Sequence, residues 1–173
     1  MKLALRILGL AVAAGLAGCS AGGVNGPVPG DPAPRLGAGR AYTIVMPTRV
    51  LTPGKADTVS LAVICGTTTK SRRDVTEATK TKVFKEYGIK TRVGYEVDHL
   101  IPLAIGGSND ILNLWPEPAV PIPGFHQKDV LEVKLHALVC SGNLDAKKAQ
   151  NQMATDWSAA YFQYVHPVGI GTP

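Results

Sequence analysis

The feature that most constrains this chain is the stretch "YEVDHLIPLAIGGSNDILNLWPEP", which sets a charged pair and a glycine turn in an otherwise apolar run. Its first part, "YEVDHLI", alternates as a half-buried strand does, and "IGGSND" supplies the glycines that a reversal of chain direction needs. "ILNLW" then returns as a second short strand. The stretch therefore predicts a β-hairpin that brings Asp98 and His99 close to Asn113.

Three helices are predicted around this hairpin. "SRRDVTEATKTKVFKEYGI" has Asp74 or Thr76 as a cap and Gly88 as its end. "FHQKDVLEVKLHALVCSG" and "NLDAKKAQNQMATDWSAAYFQYV" follow, the last one capped by Asn143 or Asp145. Apolar residues at helical spacing predict one buried face on each helix. These faces are Val83, Phe84 and Tyr87, then Val130, Leu131, Leu135 and Leu138, then Ala149, Met153, Trp157, Tyr161 and Tyr164.

The segment before the first helix is less regular. "YTIVMPTRVLTPGKADTVSLAVICG" contains clusters of β-branched residues interrupted by Pro47, Pro53 and Gly54, a pattern typical of short strands or extended segments. The predicted fold is therefore α+β. It has a hairpin-plus-helix core, additional packing helices and short N-terminal strands.

The chain begins with the features of an export signal. Lys2 and Arg6 form a positive region, Leu3 to Leu16 is apolar, and "LAGC" follows. This tetrapeptide resembles the bacterial lipobox, in which the cysteine, here Cys19, is lipidated and becomes the first mature residue. A short membrane anchor and an ordinary signal peptide are the alternatives. The resemblance predicts a cell-membrane lipoprotein facing the extracytoplasmic side.

The rest of the chain is predicted to hold one domain. Residues 1–19 are the signal peptide, and residues 20–41 form a disordered tether because they are mostly Gly, Pro and Ala. Residues 42–167 form the domain and residues 168–173 a tail. The formal charge of +5 falls to +3 when Lys2 and Arg6 leave with the signal, a value that permits nucleic-acid binding without requiring it.

Lipidation of Cys19 leaves Cys65 and Cys140 as a pair in an oxidising compartment, so we predict a disulfide between them. Closing so long a loop contributes on the order of 4 kcal/mol in the chain-entropy model. The alternative is two buried thiols. His136 lies among apolar neighbours in "VKLHALVC", which favours a core or interfacial histidine over a metal ligand.

Asp98 and His99 are suited to the two tasks that phosphodiester hydrolysis requires. A base must take a proton from water, and a cation must neutralise the charge that grows on the phosphate. Neighbouring residues in a strand point to opposite sides, so the two side chains would not share one ligand sphere. We therefore expect Asp98 to face a metal and His99 to face the water.

The stretch "VDHLIPLAIGGSNDILNL" resembles the core of the HNH endonucleases, a ββα-metal family. The resemblance implies a ββα-metal fold for residues 95–128, with His99 as general base, Asp98 as a metal ligand and Asn113 as the residue that orients His99. It also implies a divalent cation, expected to be Mg²⁺ with Mn²⁺ or Zn²⁺ as alternatives. The substrate would be nucleic acid, with DNA expected.

The family closes its metal site with a late His or Asn on the helix. "FHQKD" places His126 and Lys128 in a similar order, although behind "PEPAVPIPG" and thus later than the family spacing. Either the proline-rich segment is an insertion before the helix, or the closing ligand is missing. On the first interpretation His126 is a metal ligand and Lys128 adds charge stabilisation.

A basic segment precedes the hairpin, and Trp115 follows Asn-Leu. The segment is interpreted as a solvated helix face, with binding of nucleic-acid phosphates as the alternative. Trp115 is interpreted as a lid on the core. The basic residues are Arg72, Arg73, Lys80, Lys82, Lys85, Lys90 and Arg92.

Two hypotheses on function result. The first is an exported, membrane-tethered HNH-type nuclease that uses a divalent metal. The second is a non-catalytic envelope lipoprotein or binding module that retains an HNH-like scaffold. Neither requires a protein partner.

Overall fold

Helices dominate residues 44–166, the part of the chain that the computed structural model describes. The helices and strands of these residues are, in order, α1 (Leu61–Gly66), α2 (Thr69–Arg72), α3 (Glu77–Glu86), β1 (Tyr95–His99), β2 (Leu114–Pro118), α4 (Phe125–Cys140) and α5 (Ala146–Tyr164). Helices combined with a small antiparallel sheet confirm the α+β class. The predictions on residues 1–19, Cys19, residues 20–41 and residues 168–173 lie outside the described residues.

The predicted hairpin is present. β1 and β2 pair antiparallel, with Asp98 opposite Trp115 and His99 opposite Leu114. The second strand begins at Leu114 rather than earlier, because residues Ile111–Asn113 form a 3-10 turn whose cap is the side chain of Asp110.

Glycine makes the connection between the two strands possible. A Cβ added at Gly107 would lie 1.7 Å from the carbonyl oxygen of Ile101. Gly106 has φ of +92°, a left-handed conformation that residues with a side chain rarely adopt. The backbone can therefore fold back on itself directly after His99, which holds the end of β1 against the rest of the domain.

The long helices begin where the sequence predicts. Thr76 and Asp145 cap α3 and α5, their side chains accepting hydrogen bonds from the backbone N–H groups of Thr79 and Lys148. The predicted face of α4 is partly wrong, because Val130 is 53 % exposed. The buried positions on that helix share one side at helical spacing. They are Lys128, Leu131, Leu135 and Val139.

The predicted N-terminal strands are wrong for the described residues. Residues 44–60 form one isolated bridge, between Ala56 and Gly107, and Pro47 and Pro53 have no N–H to donate to a ladder. The β-branched run that follows is helix α1 instead, because the hydroxyl of Ser60 caps its start. This segment therefore covers the hairpin connection rather than extending the sheet.

The core lies between α4, α5 and the hairpin. Trp115, interpreted from the sequence as a lid on the core, is 1 % exposed and belongs to it. The buried cluster comprises Ile64, Leu100, Ile101, Ile105, Trp115, Leu131, Leu135, Val139, Leu144, Ala149, Met153, Trp157, Ala160 and Tyr161. At the edge of this core, the side chain of Asp98 faces the first turn of α4 and that of His99 faces Asn109 in the loop after β1.

Candidate functional site

Lys128 is the buried centre of a charged cluster between the hairpin and α4. Its side chain is fully buried, and its ammonium forms an ion pair and hydrogen bond with Asp98. The same Nζ lies 2.7 Å from a carboxylate oxygen of Glu132, 2.8 Å from the carbonyl oxygen of His99 and 3.6 Å from a carboxylate oxygen of Glu117. One cation is therefore surrounded by three carboxyl groups.

Three elements bring these groups together. Glu132 lies one turn after Lys128 on α4, so both side chains face the hairpin. On the hairpin, Glu96 stands directly opposite Glu117, and Asp98 projects from the same face two residues along β1. Residues distant in sequence thus meet where α4 crosses the two strands.

The Asp98 and Lys128 pair is ionised. Burial by itself would raise the pKa of Asp98, but the adjacent ammonium more than offsets burial, and this pKa is lowered. Burial would lower the pKa of Lys128, yet Asp98 and Glu132 hold it well above its usual value. Each charge is thus kept in the interior by its partner.

The remaining carboxyl groups of this cluster hold protons more tightly than usual. Burial, with repulsion from Asp98, raises the pKa of Glu117 to about 9. Burial likewise raises the pKa of Glu132 to about 7, although Lys128 opposes the shift. Glu96 reaches about 7 because burial combines with repulsion from Asp98 and Asp129. At neutral pH Glu117 is therefore an uncharged acid.

His99 is a buried, neutral imidazole. Its side chain is 1 % exposed, and burial lowers its pKa to about 4 despite the opposing charge of Asp98. Nε2 lies 3.1 Å from the amide oxygen of Asn109, which makes Nε2 the protonated nitrogen. Nδ1 has no hydrogen-bond partner in residues 44–166. The Asn109 amide in turn donates to the backbone carbonyl of Arg72 and accepts from the N–H of Asp74.

Asn113 makes no direct hydrogen bond to the His99 side chain within residues 44–166. Its amide oxygen accepts from the backbone N–H of Ile101 at 2.9 Å and of Lys55 at 3.2 Å. Its amide nitrogen donates to the carbonyls of Ile101 and Ser108, each at 2.9 Å. Asn113 therefore braces the hairpin connection, and the His99 ring instead donates a hydrogen bond to the amide oxygen of Asn109. The sequence analysis did not single out Asn109, and only its contact across the loop identifies it.

His126 and Lys128 also depart from the roles that the resemblance implies. His126 is exposed at the start of α4, and its ring centroid is 4.3 Å from that of Phe125. Within residues 44–166 no hydrogen bond or ion pair joins His126 to Asp98. Lys128 is too deeply buried to reach a phosphate, and it neutralises Asp98 instead.

The groups around Asp98 do not fit the divalent cation that the resemblance implies. A metal site needs several ligand atoms free to converge on one point. Here the ammonium of Lys128 fills that point. In the described residues, one set of three potential ligands has all its ligand atoms within 4.8 Å of one another, and it is Cys65, His136 and Cys140.

The two cysteines join α1 to α4. Their sulfurs lie at bonding distance, 1.98 Å, with the Cα atoms 5.6 Å apart, and they are the pair predicted from the sequence. His136 is half-buried beside them, as a core or interfacial histidine would be, with Nε2 3.2 Å from the carbonyl oxygen of Ile64. The disulfide therefore fastens the short first helix to the helix that carries Lys128.

Comparison with protein-family models, curated proteins and solved structures finds no match to this chain. None of the helices in residues 44–166 has the length and apolar character required to cross a membrane.

Proposed function

We propose that the domain is a non-catalytic binding module of the cell envelope that retains an HNH-like hairpin and helix as a scaffold. The position of Lys128 supports this most directly. Its ammonium is buried between Asp98 and Glu132, beside the carboxylate that the HNH resemblance implies as a metal ligand. An ammonium carries one charge and offers no site for a water ligand, so it cannot activate water as a divalent cation does.

The proposed location follows from the first part of the chain. A lipid on Cys19 would hold the module at the membrane, and residues 20–41 would let it extend from the surface. The disulfide between Cys65 and Cys140 suits an oxidising compartment outside the cytoplasm.

Nucleic-acid phosphate is the ligand class that the surface charge favours. Residues 70–92 carry many more basic than acidic side chains. Some are paired within α3 and its flanks: Lys80 and Arg92 with Glu77, and Lys82 with Glu86. Arg73, Lys85 and Lys90 are exposed, and no ion pair involves them in the described part of the chain. These cations are available to a phosphate backbone.

The test uses the disulfide-bonded chain from Ser20 onward. With supercoiled DNA and Mg²⁺, Mn²⁺ or Zn²⁺, no nicking is expected. With labelled duplex DNA, weak binding that declines with added salt is expected, and Lys85→Ala combined with Lys90→Ala should weaken it several-fold. Lys134→Ala combined with Lys147→Ala, which removes two charges elsewhere, is the matched control and should leave binding closer to wild type. Equal loss in both double variants would contradict a basic segment as the binding surface.

Metal-dependent hydrolysis of nucleic acid is the second candidate, and two features of His99 favour it. The imidazole is neutral at physiological pH, as a general base must be, and its Nδ1 is unbonded within residues 44–166. Nicking that depends on added metal and disappears in His99→Ala would establish this function and overturn the first proposal.

A further inference from the structure

The disulfide between Cys65 and Cys140 lies against an imidazole. Nε2 of His136 is 3.5 Å from the sulfur of Cys140, and the ligand atoms of the three residues all lie within 4.8 Å of one another. Cys65 is exposed to solvent. Two sulfurs and one imidazole nitrogen are the donors that zinc prefers, yet the bond between the sulfurs prevents them from acting as thiolates.

We propose that Cys65, Cys140 and His136 form a zinc site that opens when the disulfide is reduced. In a tetrahedral site a sulfur at ~2.3 Å and an imidazole nitrogen at ~2.0 Å from zinc lie ~3.5 Å apart. The separation between Cys140 and His136 already has this value, 3.5 Å. The two sulfurs must separate, to ~3.8 Å in the same geometry, with Cys65 settling at ~3.5 Å from the imidazole nitrogen. This proposal does not depend on the function proposed above.

The chemistry balances with a dithiol as the reductant. The dithiol gives two electrons and two protons to the Cys65 to Cys140 bond and is itself oxidised to a disulfide, leaving two cysteine thiols. Zinc then binds as both thiols release their protons, since thiolates are the ligands. His136 binds through Nε2, so the proton that faces the Ile64 carbonyl in the disulfide form must move to Nδ1. Solvent takes the fourth position beside the exposed Cys65.

Packing keeps the two helices together when the covalent bond is broken. Ile64, next to Cys65, is 2 % exposed, and Val139, next to Cys140, is 1 % exposed. Both belong to the same core cluster. The three ligands therefore remain close in the reduced protein, and the site needs little rearrangement.

Cobalt(II) is the first probe, because thiolate ligands give it a strong charge-transfer absorption. The chain from Ser20 onward is compared in its disulfide-bonded form and after reduction by a dithiol that is then removed without oxygen. The reduced form should bind one equivalent of Co²⁺ with thiolate charge-transfer and tetrahedral bands, and the disulfide form should show neither. Absence of the thiolate band, or loss of near-ultraviolet circular dichroism on reduction with zinc present, would overturn the proposal.

Zinc affinity, measured by competition with a chelator, tests the histidine. His136→Gln should weaken zinc binding by at least about tenfold. His126→Gln, a histidine at the other end of the same helix, is the matched control and should bind zinc as wild type does. Equal affinities in the two variants would contradict a three-residue site.

Discussion

The ammonium of Lys128 and the carboxylate of Asp98 form a buried ion pair across the junction of α4 and β1. The two residues lie 30 positions apart in the sequence, one on the first strand of the hairpin and one on the helix after it. Their pairing joins α4 to β1, and it places a cation built into the chain beside the carboxylate that the HNH resemblance implies as a metal ligand. The stability of this domain and its proposed lack of catalysis thus have the same structural origin.

Removing Lys128 should cost much of the stability of the domain. Lys128→Met leaves the Asp98 charge buried without its partner, which destabilises proteins by about 3–5 kcal/mol. Lys134→Met, on the exposed side of the same helix, should change the free energy of unfolding by less than about 0.5 kcal/mol. Denaturant unfolding of both variants measures the difference, and equal stabilities would show that the pair contributes nothing.

Glu117 should make the domain less stable at alkaline pH. Its pKa is about 9 in the folded protein against an ordinary 4.5. Between pH 4.5 and about pH 9 the folded state therefore keeps a proton on Glu117 that the unfolded state has released. The stability that this proton provides is lost as the pH rises through that range. His99, whose pKa is lowered from 6.5 to about 4, acts in the opposite direction only at acid pH.

The variant Glu117→Gln separates this contribution. It keeps the shape of the side chain and cannot ionise, so thermal melts of the variant should decline less than those of wild type between pH 7 and about pH 9. Parallel curves for the two proteins over that range would be evidence against a protonated Glu117.

Asn113 should be required for folding rather than for orientation of His99. Asn113→Ala removes an amide that satisfies the backbone of Ile101 and Ser108, both in the loop connection, and leaves buried polar groups unpaired. We expect a loss of about 3 kcal/mol. Asn143→Ala, whose amide contacts only an exposed serine hydroxyl, is the control and should be nearly neutral. A stable Asn113→Ala protein would contradict the bracing role.

Gly107 should tolerate no side chain. In Gly107→Ala the new Cβ would meet the Ile101 carbonyl oxygen at 1.7 Å, so the connection must shift and the loss of stability should be several kcal/mol, about as large as a severe core mutation. Gly66→Ala has nothing within 4 Å of the added atom and should be close to neutral. Chemical denaturation of the two variants tests this prediction. Similar denaturation midpoints would rule out the close approach of Gly107 to the Ile101 carbonyl.

The sequence predicted the elements that depend on local pattern. The hairpin followed from alternation and the Gly-Gly turn, and the observed caps Thr76 and Asp145 are each one of the two candidates that the sequence left open for α3 and α5. It did not predict the burial of Lys128, because a lysine is ordinarily exposed and its burial depends on acids from three elements. The role of Asn109 was missed for the same reason, since its contact with His99 exists only after the connection has folded.

The central claim is that Lys128 occupies the position of a metal ion. Its most direct test is Mn²⁺ binding to the disulfide-bonded chain, monitored through the effect of bound Mn²⁺ on water-proton relaxation. If Lys128 holds the cation position, the wild-type protein should show no Mn²⁺ site that depends on Asp98. Lys128→Met should gain one Mn²⁺ site, and that site should be lost again when Asp98→Asn is added. A wild-type protein that binds one Mn²⁺ and loses it in Asp98→Asn would contradict the account and support a metal-dependent nuclease.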